Sequence, residues 1–216
     1  MSAIGAELHI EPVGPDNARH LDTLFASGDP RTCQCAFLRL TSAEWSASTR
    51  EDNRRLHRAA IKAAAGDGRA AGLIALRGEV PVGWVSFDER DAYRRLDATP
   101  LLRRIDDRPL WSVVCFVVAA SARRTGIAAH LLDATLAYAR AHGVRLLEAY
   151  PVDTTAPGRT KRSSSDLWRS TVPMFERAGF TVVEVRRLTG GTLMADELLA
   201  EQESRMTRCR SSSTIG

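Results

Sequence analysis

Residues Arg123-Arg124-Thr125-Gly126-Ile127-Ala128 place two guanidiniums, a hydroxyl and a glycine immediately before a helical pattern. An apolar run, Trp111–Ala119, comes just before them. Strand, basic turn and helix in that order make a phosphate cradle. The first N–H groups of a helix have no partner inside it, and the helix dipole adds partial positive charge at that end, so a pyrophosphate is a natural ligand. Gly126 lets the backbone approach the phosphates where a Cβ would intrude. Arg123 and Arg124 supply mobile positive charge at the rim.

The second group with chemical potential is sulfur. The cysteines are Cys33, Cys35, Cys115 and Cys209, too few and too scattered for a disulfide framework. Cys33-Gln34-Cys35 is the close pair. It reads as packing thiols, as a redox or substrate-loop element, or as half of a metal site. A zinc site would need two more ligands at compatible spacing, and none is evident, so no metal is expected. Cys115 lies mid-strand, where a thiol serves as a small core residue.

These groups need a scaffold. With 216 residues and 44% hydrophobic content, the chain has the size of one domain with appendages. No apolar run approaches the roughly 20 residues of a membrane span. Residues 1–5 carry no basic and apolar leader pattern. A cytoplasmic protein with no membrane partner is therefore expected. The net charge of +4 and pI near 9.2 suit an anionic small ligand as well as nucleic acid. The basic residues lack the aromatic interleaving of single-strand binders, so no nucleic-acid partner is expected.

Residues 7–13 alternate as a first strand, and 16–26 read as a short helix. Thr41-x-x-Glu44 is a capping box ahead of a long polar helix to about Ala65. Residues 71–76 and 82–87 are strands joined by Arg77-Gly78-Glu79. Residues 88–108 read as an irregular charged segment. The apolar run 111–119 suits a strand covered on both faces. Ile127, Leu131, Ala134 and Tyr138 follow helical spacing, with Gly143 as the stop. A strand over 144–152 follows, then a basic loop over 153–166 that holds Arg159, Lys161 and Arg162. A helix over 167–178 has Pro173 inside, and 181–187 alternate as a strand. Residues 1–188 are read as one domain and 189–216 as an atypical C-terminal tail, disordered or replacing a strand, with 195–206 as a candidate helix.

Arg123-x-x-Gly126-x-Ala128 resembles the acyl-CoA pyrophosphate loop of the GCN5-related N-acetyltransferases, the GNAT family. Gly78–Val85 resembles that family's second hairpin, Trp111–Val118 its central strand, and Phe175-Glu176-Arg177-Ala178-Gly179-Phe180 its late helix running into a strand. The resemblance covers roughly residues 6–188. It implies a mixed α/β fold, an α+β sheet splayed at its centre and flanked by helices. It also implies acetyl-CoA as co-substrate, a primary amine of a small molecule or peptide as acceptor, and the possibility of a homodimer.

By the same resemblance, the pantetheine arm lies against the central strand at Phe116, Val117 and Val118, beside a splaying bulge. Thr125 and Ile127 join Arg123, Arg124, Gly126 and Ala128 in the pyrophosphate loop. A backbone N–H polarises the thioester carbonyl. Attack needs a neutral amine and hence a base. The central strand holds no carboxylate, which leaves Glu148, Asp153, Asp88 and Glu89 as candidates to feed a water chain. The late-helix tyrosine that protonates the thiolate is here Phe175. Tyr150 is the preferred substitute, ahead of Ser170, Thr171 and Cys115, and the thiolate can also leave unassisted into a basic site. The missing groups motivate an alternative, a non-catalytic acyl-CoA-binding regulatory module. A nucleic-acid binder using Arg159, Lys161 and Arg162 is a third reading.

Overall fold

A computed structural model of the chain describes residues 7–26, 28–151, 170–187 and 205–212. Seven strands form one sheet in the order β1-β2-β3-β4-β5-β7-β6. They are β1 Leu8–Pro12, β2 Gly72–Arg77, β3 Val80–Glu89, β4 Trp111–Val118, β5 Leu146–Ala149, β6 Thr181–Arg187 and β7 Arg205–Ser212. Strands β1 to β4 are antiparallel neighbours, β4 and β5 are parallel, and β7 inserts antiparallel between β5 and β6. The helices are α1 Arg19–Leu24, α2 Pro30–Cys33, α3 Ser42–Ala47, α4 Arg50–Gly66, α5 Arg94–Ala98, α6 Ile127–Ala141 and α7 Val172–Arg177. Among the described residues no helix is long and apolar enough to cross a membrane.

The expected single helix from Thr41 is two helices. Thr41 with Glu44 caps α3, and a second capping box, Thr49 with Asp52, caps α4. Ser48 between them is extended at ψ 143. Two reciprocal caps satisfy both helix starts, so the chain turns there rather than running straight. Helix α4 then buries Asn53, His57, Ile61 and Ala64 as one stripe. The segment over 88–108 is more ordered than its composition suggests, for it contains α5 and two 3₁₀ turns.

Two cores flank the sheet. Helices α1 and α4 and the 93–102 segment cover one face, with Phe25, Trp84, Tyr93, Val114, Cys115, Val117 and Tyr150 inside. Helices α6 and α7 cover the other, with Phe87, Val113, Phe116, Leu131, Phe175 and Phe180 inside. Gly83 sets how closely α6 approaches. A Cβ there would fall 2.5 Å from Ile127 Cγ2 and 3.0 Å from Leu131 Cδ1.

Within the C-terminal segment, residues 205–212 form β7 inside the sheet. In Arg208-Cys209-Arg210 the arginines lie on one face and are buried, at 2% and 6% exposure, while Cys209 joins the α6 core. An arginine in a strand reads as solvent-facing because burial of an unpaired charge is costly; here a distant carboxylate pairs with it. Of the candidate helix over 195–206, residues 205–206 belong to β7 instead, and the rest lies outside the described residues, as do the basic loop with Arg159, Lys161 and Arg162, and Asp153.

Candidate active site

The turn before α6 takes the shape that its residues allow. Arg124 and Gly126 are both left-handed, at φ 62 and φ 83. Such reversals curl backbone N–H groups into an anion-binding concavity. Thr125 Oγ1 donates to Ala122 O at 2.7 Å and closes the turn. The N-cap, Gly126, has no side chain to occupy the first N–H groups, and its carbonyl accepts from Ala129 and His130 at 2.9 and 3.1 Å. The N–H groups of the helix start are thus directed outward. Ile127 is buried as the anchor, while Arg123 and Arg124 are exposed. The chemistry of this donor set fits a pyrophosphate.

Strand β4 carries a bulge. Ser86 pairs with Cys115 and Phe87 with Val113, so Val114 is the extra residue. Its signature is that Val114 and Cys115, consecutive in sequence, both face the α1–α4 core. Beyond this point β4 and β5 part, because their pairing covers only Trp111 to Val113 against Leu147 to Ala149. Ala119 N–H donates to Val82 O at 3.0 Å on the β3 side. Alternation along the strand therefore turns the peptide groups of Phe116 and Val118 to the open edge and those of Val117 to β3. Consistent with this, Arg123 Nε reaches Val118 O at 3.4 Å. The open edge leads, through a single 3₁₀ turn at Ala120–Ala122, into the turn at 123–128.

The groups expected to move protons are placed differently from one another. Glu148 and Tyr150 come together where the strands part: Tyr150 donates its hydroxyl to Glu148 Oε1 at 2.6 Å. Both are buried. Glu148 Oε2 also accepts from Arg210 Nε at 2.9 Å, and Arg208 lies 3.5 Å from Oε1. Tyr150 Oη is 3.0 Å from Ser112 Oγ and accepts from Arg90 Nη1 at 3.2 Å. Burial, and then the Glu148 charge, push the Tyr150 phenol above its ordinary value. Its proton is committed to Glu148.

Asp88 is buried on β3 opposite Ser112, away from the open edge, and pairs with Arg39 at 2.8 Å and with Arg69. Glu89 is exposed. Ser170 Oγ donates to Met174 Sδ at 2.9 Å, and Thr171 caps α7 without a side-chain bond. Phe175 is fully buried, edge-on to Phe116 at 6.1 Å and to Phe180 at 5.0 Å. It forms the apolar floor beneath the open edge.

Residues 36–160 match the Acetyltransferase (GNAT) family, over more than half of the chain. The chain belongs to that family. No curated protein matches it. Among solved structures, the polyamine N-acetyltransferase of Drosophila melanogaster superposes with a TM-score of 0.57 at 12% identity, covering 96% of this chain and 100% of that one. A GNAT-family acetyltransferase from Streptococcus pneumoniae gives 0.54 at 16% identity over 96% and 100%. The PaiA N-acetyltransferase of Thermoplasma acidophilum, solved with coenzyme A, gives 0.52 at 10% over 96% and 99%. At these identities the likeness shows the fold, a mixed sheet flanked by helices as the sequence led one to expect.

Four residues of the network around Glu148 and Tyr150 escaped the sequence reading: Arg90, Ser112, Arg208 and Arg210. Cross-strand register explains their meeting, since Ser112 stands opposite Glu148 and Glu148 opposite Arg210. The alternation Arg-Cys-Arg at 208–210 was the available strand signal, disguised by charge.

Proposed function

We propose that the protein transfers an acetyl group from acetyl-CoA to a primary amine of a small molecule or peptide, by direct attack on the thioester. The observation that carries this reading is the continuity of the open β4 edge with the turn at 123–128. In it, Arg123, Arg124, Thr125, Gly126, Ile127 and Ala128 hold the pyrophosphate. The peptide groups of Phe116 and Val118 receive the amides of the arm, and Val117 packs from the strand between them. An N–H at this edge polarises the thioester carbonyl and stabilises the tetrahedral oxyanion. Collapse of that intermediate breaks the C–S bond, and CoA leaves as its thiolate, which takes a proton from solvent.

Holding amine and thioester in register supplies much of the acceleration. Glu148 and Tyr150 contribute, in this reading, by bracing the point where β4 and β5 part. Their hydrogen-bonding capacity is used on each other and on Arg90, Ser112, Arg208 and Arg210. Solvent water in the cleft takes the amine proton.

The same committed pair, with Phe175 lacking a hydroxyl, favours a second reading: an acyl-CoA-binding module without turnover. Calorimetric titration with acetyl-CoA, with CoA and ATP as comparisons, followed by an amine panel, separates the two. Binding with acetylated product supports the enzyme, and binding without product on any amine supports the module. No binding by folded protein refutes both.

A further inference from the structure

Three of the four cysteines gather on the sheet face opposite α6. Cys35 Sγ lies 3.6 Å from Cys115 Sγ, across 80 residues of sequence. Both are buried, and Cys33 beside them is partly exposed. Cys115 follows the bulge residue and directly precedes Phe116, the first open-edge residue. Among the described residues no cluster of three or more histidine, cysteine or acidic side chains could hold a metal.

The segment that brings Cys35 to β4 is strained. Gln34 and Cys35 are consecutive non-glycine residues in the left-handed region, at φ 49 and φ 57. Such a conformation persists only where neighbouring contacts over-determine it. Here Gln34 Nε2 donates to Arg31 O at 2.9 Å, Ala36 N–H to Cys33 O at 2.8 Å, and Asn53 Nδ2 to Thr32 O at 3.0 Å. The strain aims one thiol at the other. A sulfur separation of 3.6 Å is van der Waals contact, about 1.5 Å longer than a disulfide bond.

We propose that Cys35 and Cys115 are an oxidisable pair whose disulfide pins the 34–35 turn against β4, so that the turn can no longer move aside to admit the amine to the open edge. This rests on the proposed acetyl transfer. The α6 side of the open edge is floored by the Phe116, Phe175 and Phe180 rings, so the amine enters from the α1–α4 side, where the 34–35 turn lies. With a peroxide as oxidant the step balances. One thiol attacks the O–O bond and becomes a sulfenic acid as water leaves. The second thiol then displaces a further water, and the pair has lost two protons and two electrons to the peroxide. A thiol reductant reverses the bond by exchange.

Hydrogen peroxide treatment of the full chain, followed by non-reducing peptide mapping, tests the pair. The expected product links the Cys35 and Cys115 peptides and raises Tm by about 5–10 °C, since it closes a long loop between groups already in contact. Acetyl-CoA affinity stays within about threefold, amine turnover falls at least about tenfold, and dithiothreitol restores it. Cys33→Ser with Cys209→Ser keeps the whole response, and Cys35→Ala abolishes it while retaining the reduced-state turnover.

A crosslink between Cys33 and Cys35, no crosslink, or a 35–115 crosslink with unchanged turnover overturns the clasp. If reduced protein turns over no amine, it is the acetyl-transfer reading that fails. The pair then stands or falls on the 35–115 linkage and its Tm rise.

Discussion

Gly126→Asp puts the phosphate cradle to its most direct test. Gly126 sits at φ +83, and a Cβ there would lie 3.4 and 3.5 Å from His130 Cε1 and Nδ1. Those are ordinary contacts, so the structural cost is that of a left-handed non-glycine residue, about 1–2 kcal/mol. Against a typical stability of about 5–15 kcal/mol the fold persists. The effect on the ligand is larger. A carboxylate about 4 Å from a phosphate charge is repelled by about 1 kcal/mol in water and about 4 kcal/mol near a protein surface. Aspartate is also a favoured N-cap and takes a first-turn N–H for itself. That removes a charge-assisted hydrogen bond of about 1.5–3 kcal/mol. One lost bond with the weaker repulsion gives about 3 kcal/mol, or at least about 100-fold in Kd for acetyl-CoA. Gly126→Ala carries the same backbone strain without the charge and should lose less than about tenfold. Calorimetry on the three proteins measures this, with thermal denaturation as the folding check. Folded Gly126→Asp protein binding acetyl-CoA within about threefold of the parent would refute the cradle.

Further predictions follow from the packing and the polar network. Gly83→Ala drives a methyl into Ile127 and Leu131; overpacking of about 1–3 kcal/mol lowers Tm by several degrees and weakens acetyl-CoA binding as α6 shifts, both read by denaturation with and without ligand. Tyr150→Phe strips Glu148, Ser112 and Arg90 of a shared partner, so stability drops by about 1–3 kcal/mol while kcat changes less than about tenfold. A kcat loss of 100-fold or more at unchanged stability would instead make Tyr150 a proton donor. Phe175→Tyr buries a hydroxyl in the aromatic floor and costs about 1–3 kcal/mol of stability, yet turnover falls no more than a few fold; a collapse in turnover would show that the ring itself shapes the amine site.

The pH dependence of stability isolates His57. Burial, and then the Arg39 charge, hold its imidazole down at about 3, and it packs between Phe25 and Trp84. The unfolded chain binds a proton below about pH 6.5 that the folded chain refuses, so stability is full above that pH and declines toward about pH 3. By pH 5 the loss is about 2 kcal/mol. Denaturant melts of His57→Phe should lack this component between pH 5 and 6.5, and an unchanged slope would mean the ring is protonated in place.

Local chemistry made much of this protein legible. The turn at 123–128 needs a glycine, arginines and a helix start, all adjacent in the chain. The hairpin, the long helix α6 and the apolar central strand are periodic patterns of the same short range. The open edge at 116–118 lies on a strand the sequence showed, although the bulge that opens it is a matter of register against β3. Two capping boxes were present, at Thr41 and Thr49, and only the first was read, because a second cap inside a helical pattern looks like surface polarity until the chain is seen to turn.

What the sequence could not contain were meetings between distant residues. Arg208 and Arg210 can lie in the interior because they pair with Glu148, and β7 takes its place between β5 and β6 with that pairing. Cys35 touches Cys115 only because a left-handed turn aims it at a bulge 80 residues away. Whether Glu148 and Tyr150 face substrate or each other is likewise set by the sheet. Local conformational preferences act over a few residues, whereas ion pairing and burial depend on neighbours that folding alone supplies. The sequence therefore determined the turn at 123–128 and the elements beside it, and the tertiary structure decided which polar groups are spent on one another.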